Sequence, residues 1–377
     1  MIPFIDLQAQ RRRLGDRIDA AIARVLEHGQ FILGPEVAEC EARLAGFTGA
    51  KHAIGCANGT DALALGLMAK EVRTGDAILV PSFTFVATAE VVPWLGATPV
   101  FCDVDEATFN LDPRGLDAGL RTARANGLRP VGVIAVDLFG QPADYDALQA
   151  FCSAHGLWLI DDAAQGFGAS WQGRRLGTQA DLTATSFFPA KPLGCYGDGG
   201  ALFTDDDVLA DVLRSLRNHG QGRDRYDNVR IGMNSRLDTL QAAILLEKLA
   251  VFEDEIEQRQ AVAERYASGL GDLVRTPHVV AGATSAWAQY TLTLERPEMR
   301  EPLRQALQAA EIPTAVYYPV PLHRQTAYAH YPVAGNGLPV AERLAEVVLS
   351  LPFHPDLDAP TQDRIIEALR AHLESAQ

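Results

Sequence analysis

The stretch LTATSFFPAKPLGCYGDGGALFT, residues 182–204, decides the fold and frames its chemistry. Its two ends, LTATSFF and GGALFT, are short apolar and β-branched runs that read as strands. Between them lies a loop built from Pro, Gly and aromatic residues, with Lys191 as its only cation. A lysine is costly to bury and needs no such setting to reach solvent. Only Lys51, Lys70, Lys191 and Lys248 are lysines among 33 basic residues, so the chain uses arginine where a permanent charge suffices. Arginine does not release its proton in a protein, whereas a desolvated lysine can. Lys191 is therefore either a loop lysine reaching water or an amine kept for reaction with a carbonyl carbon. Pro189, Pro192, Gly194 and Gly197 would hold it on a stiff loop.

Upstream, short apolar runs alternate with helical patterns. HAIGCA, AILVP, TPVFCDV, VGVIAV and LWLIDD are each followed by a segment with apolar residues at helical spacing. Such alternation predicts βαβ units: an α/β protein with a central, mostly parallel sheet of about seven strands, helices on both faces. From Asp205 to about Leu270 the pattern is helical. The tail then mixes AQYTLTL, TAVYYPV and VVLSLPF, read as strands, with helical segments. The expected division is a large domain over 1–271, with an N-terminal helix and a helical connection, and a small α+β domain over 272–377.

The 377 residues carry a formal charge of −15, which argues against nucleic-acid or anionic-membrane partners. The basic run QRRRLGDR near the start reads as a solvated helix face. Five cysteines without CxxC spacing predict neither a disulfide framework nor a zinc site. With no signal-peptide pattern and no transmembrane-length apolar run, a cytoplasmic location is expected. No GxGxxG, GxSxG, HExxH or Walker A pattern occurs, and DVDEATFNLD lacks the glycine that a calcium loop requires.

Ligands of open α/β sheets gather at the carboxyl ends of the strands. Three segments sit there. In CANGTDAL, residues 56–63, Gly59 and Thr60 open a helix; this is an ordinary N-cap or an anion cup. In LIDDAAQGFGA, residues 159–169, two adjacent carboxylates must point to opposite sides, and either could cap a helix or face a site. The third is the Lys191 loop, with Ser186 five residues earlier. Jointly they fit pyridoxal phosphate, which needs a lysine for its aldehyde, a carboxylate (Asp162) for its ring nitrogen, and phosphate donors. PSFTFVAT adds Phe83 and Phe85 as aromatic rings that could stack on it.

NGTDAL, PSFTFVATAEVV, IDDAAQGFGA, TSFFPAKPLGCYGDGGA, NHGQ and GMNSRLDTLQAAIL, in this order, resemble the DegT/StrS family of nucleotide-sugar aminotransferases. The likeness runs from FIDLQAQ to SLPFHPDL, nearly the whole chain. It implies the aspartate-aminotransferase fold and a homodimer with shared active sites. By motif it assigns Lys191 to the cofactor aldehyde and Asp162 to the pyridine nitrogen, both catalytic. Gln165 lies near the ring hydroxyl and Phe85 stacks on the ring. Gly59, Thr60 and Ser186 hold the phosphate, and Asn234 reaches it from the partner subunit. The likeness further implies L-glutamate as donor and a UDP-linked 2-acetamido-2-deoxy-3-keto-hexuronic acid as acceptor, giving a 3-amino sugar of O-antigen pathways. A uronate carboxylate calls for a cation, for which Arg236 is the candidate; its alternative is a packing or interface role. Tyr318 and its neighbours from Thr314 would line the sugar pocket. Tyr317 stands where the pattern has His, which leaves a 4-keto-6-deoxy or 3-keto-6-deoxy nucleotide sugar as the alternative acceptor.

Overall fold

The computed structural model describes residues 2–224 and 226–375. Its centre is a seven-stranded sheet in the order His52–Cys56, Gly200–Thr204, Leu182–Ser186, Trp158–Asp162, Arg129–Val136, Asp76–Pro81, Thr98–Cys102. Gly200–Thr204 is antiparallel to both neighbours, and the remaining pairs are parallel. The sheet is thus the mostly parallel, helix-covered one that the alternation predicts. Its inner strands show why: Asp76–Pro81 is buried at every position, as a strand covered on both faces must be. Each fully buried Ile, Leu or Val contributes about 1.5–3 kcal/mol through area removed from water. Gly66, in the helix Gly59–Ala69, lets that helix lie close on the sheet: a Cβ there would come 2.6 Å from Leu182 Cδ2.

A second core forms around the antiparallel pair Tyr290–Thr293 and Val348–Leu351. Tyr290, Leu292, Leu349 and Leu351 pack there with Val262 and Tyr266 from the helix Phe252–Leu270 and Ile365 and Leu369 from Ala359–Ser375. TAVYYPV is not a strand; it makes one isolated bridge, Ala315 to Ser350. Pro313 before it, Pro319 within it and Pro321 after it remove backbone donors, so a ladder cannot extend. The long helical pattern also breaks. Thr239–Leu249 and Phe252–Leu270 are separate helices, and residues 217–224 and 226–238 form an irregular segment after Asp207–Leu216.

The basic run near the start departs from a simple solvated face. In the helix Leu7–Leu14, Arg12 is exposed, but Arg13 pairs with Asp356 at 3.0 Å and with the fully buried carboxylate of Glu255. Gln10 Nε2 donates to both oxygens of Glu255 at 3.0 Å. The run therefore fastens the N-terminal helix to the body. All five cysteines are buried free thiols. Among the described residues, no helix is long and apolar enough to cross a membrane.

Candidate active site

The six like-directed strands deliver their carboxyl ends to one edge of the sheet. Asn58-Gly59-Thr60 follows Cys56, Ser82 to Phe85 follow Pro81, and Asp137 follows Val136. Asp162 and Ser186 end their own strands. The arrangement is a crevice along the edge where chemistry is expected.

Asp162 is buried, and two donors fix it: Thr88 Oγ1 donates to Oδ2 at 2.7 Å and the Ala164 N–H to Oδ1 at 3.2 Å. Burial raises its pKa, while these bonds and the Lys191 charge pull it back down. Burial lowers the pKa of half-buried Lys191, and the Asp162 charge acts in the opposite direction. The amine and the carboxylate at this crevice thus lie close enough for each charge to act on the other's titration. Of the two adjacent aspartates, Asp162 faces the crevice. Asp161 points to the other side and accepts from Thr183 Oγ1 at 3.1 Å, as strand alternation requires.

Asp161 lies against Asp137, and both are fully enclosed. Asp137 Oδ1 accepts from Tyr145 OH and from the Ala143 N–H, both at 2.8 Å. Its other oxygen and Asp161 Oδ1 have no further partner among the described residues. Burial pushes Asp137 well above the usual carboxyl range and Asp161 to about 7, so the pair holds a proton between them near neutrality. Gly166 leaves room for this pair, because a Cβ there would lie 2.6 Å from Asp137 Oδ2. The next loop positions Gln165: Oε1 accepts from the Phe139 N–H at 2.7 Å, and Nε2 donates to Tyr318 OH at 3.1 Å.

The turn at Asn58-Gly59-Thr60 is built in a similar way. Asn58 caps the helix Gly59–Ala69 by accepting from the Asp61 N–H at 2.8 Å. The N–H groups of Gly59 and Thr60 have no partner among the described residues. Ser186 stands against them; a Cβ at Gly59 would come 2.6 Å from its Cβ. Free N–H groups at a helix start, beside a hydroxyl, suit a phosphate. With Lys191 and Asp162 beyond, the residues fit pyridoxal phosphate.

Tyr318 joins a group of aromatic rings at this edge of the sheet. Its ring lies 6.4 Å from Phe85 and 6.1 Å from Phe83, centroid to centroid. Phe85 is half exposed over the crevice while Phe83 is buried. A cleft of about 470 Å³ opens beside Tyr318, lined also by Val320, Arg324 and Gln325. His323, one residue from that cleft, is buried; its Nδ1 is 2.6 Å from Ser82 Oγ and its Nε2 3.0 Å from Glu342. Asn234 and Arg236 lie apart from this group on the irregular segment, tied to it through Ser235 Oγ, which accepts from the Ala57 N–H at 3.1 Å. Asn234 is exposed. Arg236, half-buried, donates to Asn218 Oδ1 at 3.1 Å. No motif marks Thr88, Asp137 or Ser82; Ser82 and Thr88 lie within PSFTFVAT, and the contact of Thr88 depends on the order of the strands.

The chain is similar to known proteins over nearly its whole length. It is 51% identical to the UDP-2-acetamido-2-deoxy-3-oxo-D-glucuronate aminotransferase of Pseudomonas aeruginosa, over 98% of this chain and 99% of that one. A DegT DnrJ EryC1 StrS aminotransferase from Brucella abortus superposes with a TM-score of 0.97 at 52% identity, covering 99% of this chain and 100% of the other. NtdA from Bacillus subtilis, solved with bound cofactor PMP, superposes with a TM-score of 0.90 at 28% identity, over 99% of this chain and 85% of its own. The model of the DegT/DnrJ/EryC1/StrS aminotransferase family matches residues 12–370, and the chain belongs to that family, as an aminotransferase whose cofactor is pyridoxal phosphate.

Proposed function

We propose that the protein moves the amino group of L-glutamate to the 3-keto carbon of a UDP-linked 2-acetamido-2-deoxy-hexuronic acid, for a surface polysaccharide such as O-antigen. The observation that carries this reading is the 51% identity, over nearly the whole length of both chains, to a relative named for a UDP-3-oxo-glucuronate substrate. Pyridoxal phosphate, when bound, supplies an aldehyde that carries the amino group between substrates and a ring that withdraws electrons. Asp162 holds a proton on the ring nitrogen, and Thr88 keeps its carboxylate ionised and oriented. Lys191 Nζ would take the proton from the donor's α-carbon and, in the second half-reaction, deliver a proton to the sugar carbon that receives the amine, a role suited to an amine whose pKa burial lowers. Gly59, Thr60 and Ser186 hold the phosphate, Phe85 covers the ring, and Gln165 with Tyr318 borders the substrate.

We further propose a homodimer in the cytoplasm, its sites completed across the subunit boundary. Phe31, Ile32, Leu33 and Phe188 are exposed apolar side chains that an interface would cover. Asn234, exposed on its own subunit, then serves the partner's phosphate. Five free thiols suit a reducing compartment. Arg236, with a guanidinium engaged by one neutral oxygen, is the cation for the uronate carboxylate. The Arg236→Met variant tests this assignment. Loss of a charge-assisted pair costs about 1.5–3 kcal/mol, so KM for the uronate should rise on the order of 10-fold to 100-fold. The glutamate half-reaction should keep its rate; an unchanged KM for the uronate removes Arg236 from the substrate site.

A further inference from the structure

Lys248 is one of four lysines in the chain, and it is only 1% exposed. Nothing in the chemistry above uses it. Its Nζ donates to Gly194 O at 2.6 Å, three residues beyond Lys191, and sits 4.1 Å from the centroid of the Tyr196 ring. Seven residues earlier on the same helix, Thr239–Leu249, Gln241 Oε1 accepts from the Tyr196 N–H at 2.9 Å. Residues seven apart lie two turns along one helix face. One face thus grips the lysine loop at residues 194 and 196.

The loop is otherwise closed on itself. The Lys191 N–H donates to Phe188 O and the Cys195 N–H to Phe187 O, each at 2.8 Å. Gly194 packs so closely that a Cβ would lie 2.5 Å from Pro189 O. The loop cannot shift at Gly194 without straining the segment that carries Lys191. A buried ammonium is an expensive anchor where a neutral group of similar shape would pack. Its retention at the base of this loop points to a task that a neutral side chain does not perform.

We propose that Lys248 is a positioning residue for the reaction: with Gln241 it clamps the loop 187–196 from beneath and sets the direction of Lys191. This rests on Lys191 being the cofactor lysine. The clamp is strongest while Lys248 is charged. Burial lowers its pKa to about 8; Glu255, from the helix Phe252–Leu270, and Cys195 in the loop act in the opposite direction. Tyr196 covers the amine, and Arg13 from the N-terminal helix occupies Glu255. Above about pH 8 the bond to Gly194 O therefore loses its charge and the loop loosens.

The test compares wild type with Lys248→Met, of similar length without a donor, and Lys248→Gln, a neutral donor. Amide exchange of Lys191, Cys195 and Tyr196 is measured on the unloaded protein, and kcat against pH on the loaded enzyme. The wild type should show exchange rising beyond its intrinsic pH dependence, and kcat falling, across about pH 8. Both variants should lack that step. Lys248→Met should exchange these amides faster and lose kcat on the order of 10-fold to 100-fold, with KM for glutamate within about twofold. Lys248→Gln should recover part of kcat. Wild-type exchange and kcat in Lys248→Met, or no step in the wild type, overturns the proposal. If Lys248→Met fails to fold, Lys248→Gln and the wild-type step decide. Borohydride reduction and peptide mapping identify the cofactor lysine separately, so a failure of that reading is distinguishable from a failure of the clamp.

Discussion

The hydroxyl of Thr88 donates to Oδ2 of Asp162 across 2.7 Å, joining the helix Ala87–Trp94 to the end of the strand Trp158–Asp162. Both groups are buried, so the bond is not exchanged for water. It opposes the upward push of burial on Asp162, and in the proposed mechanism it keeps that carboxylate available to hold a proton on a ring nitrogen.

Thr88→Val keeps the shape and removes the donor. Asp162 then loses a stabiliser of its charged form, so its pKa rises further. The acid limb of the glutamate half-reaction should move to higher pH, and its rate at neutral pH should fall on the order of 10-fold. The measurement is single-turnover absorbance against pH; a superimposable profile contradicts the role given to Thr88.

Gly59→Ala places a Cβ 2.6 Å from that of Ser186, at the cup rather than at the chemistry. Overpacking there should cost about 1–3 kcal/mol. Cofactor affinity should weaken while the rate of the loaded enzyme changes little. Titration of the unloaded variant with pyridoxal phosphate checks this, and wild-type affinity would remove Gly59 from the cup.

The Asp137–Asp161 pair makes a stability prediction with a definite sign. Burial raises both pKa values, so the folded chain binds a proton more tightly than the unfolded chain. The resulting stability is full below the ordinary carboxyl range and is lost as pH rises through about 7. Melting temperature should therefore fall across that window in wild type, and Asp161→Asn should flatten the fall. Asp161→Ala strips a buried partner and should cost about 1–3 kcal/mol. Parallel pH–melting curves for wild type and Asp161→Asn would exclude the shared proton.

Much of this site is legible in the sequence because strand ends are local features. Lys191, Asp162, Ser186 and the Asn58-Gly59-Thr60 turn each follow an apolar run that marks its own termination. The sheet class follows equally from such runs. What depends on non-local packing is hidden. Strands Asp76–Pro81 and Trp158–Asp162 are separated by Arg129–Val136, so no spacing along the chain brings Thr88 to Asp162. TAVYYPV has β-branched and aromatic content, yet the flanking prolines deny it a ladder. Lys248 stands near a helix end, and only the packing of a loop from more than fifty residues earlier against that end shows it buried.

The proposed reaction is amino transfer to a 3-keto uronate. The most direct test converts the enzyme to its pyridoxamine form with glutamate, removes the donor, and follows the return of the original absorbance with each of two keto-sugars. Fast return with the UDP-linked 3-keto uronic acid, and none with a UDP-linked 4-keto-6-deoxy sugar, is the predicted result. Return with the 4-keto sugar alone would leave an aminotransferase but contradict both the uronate substrate and the role of Arg236.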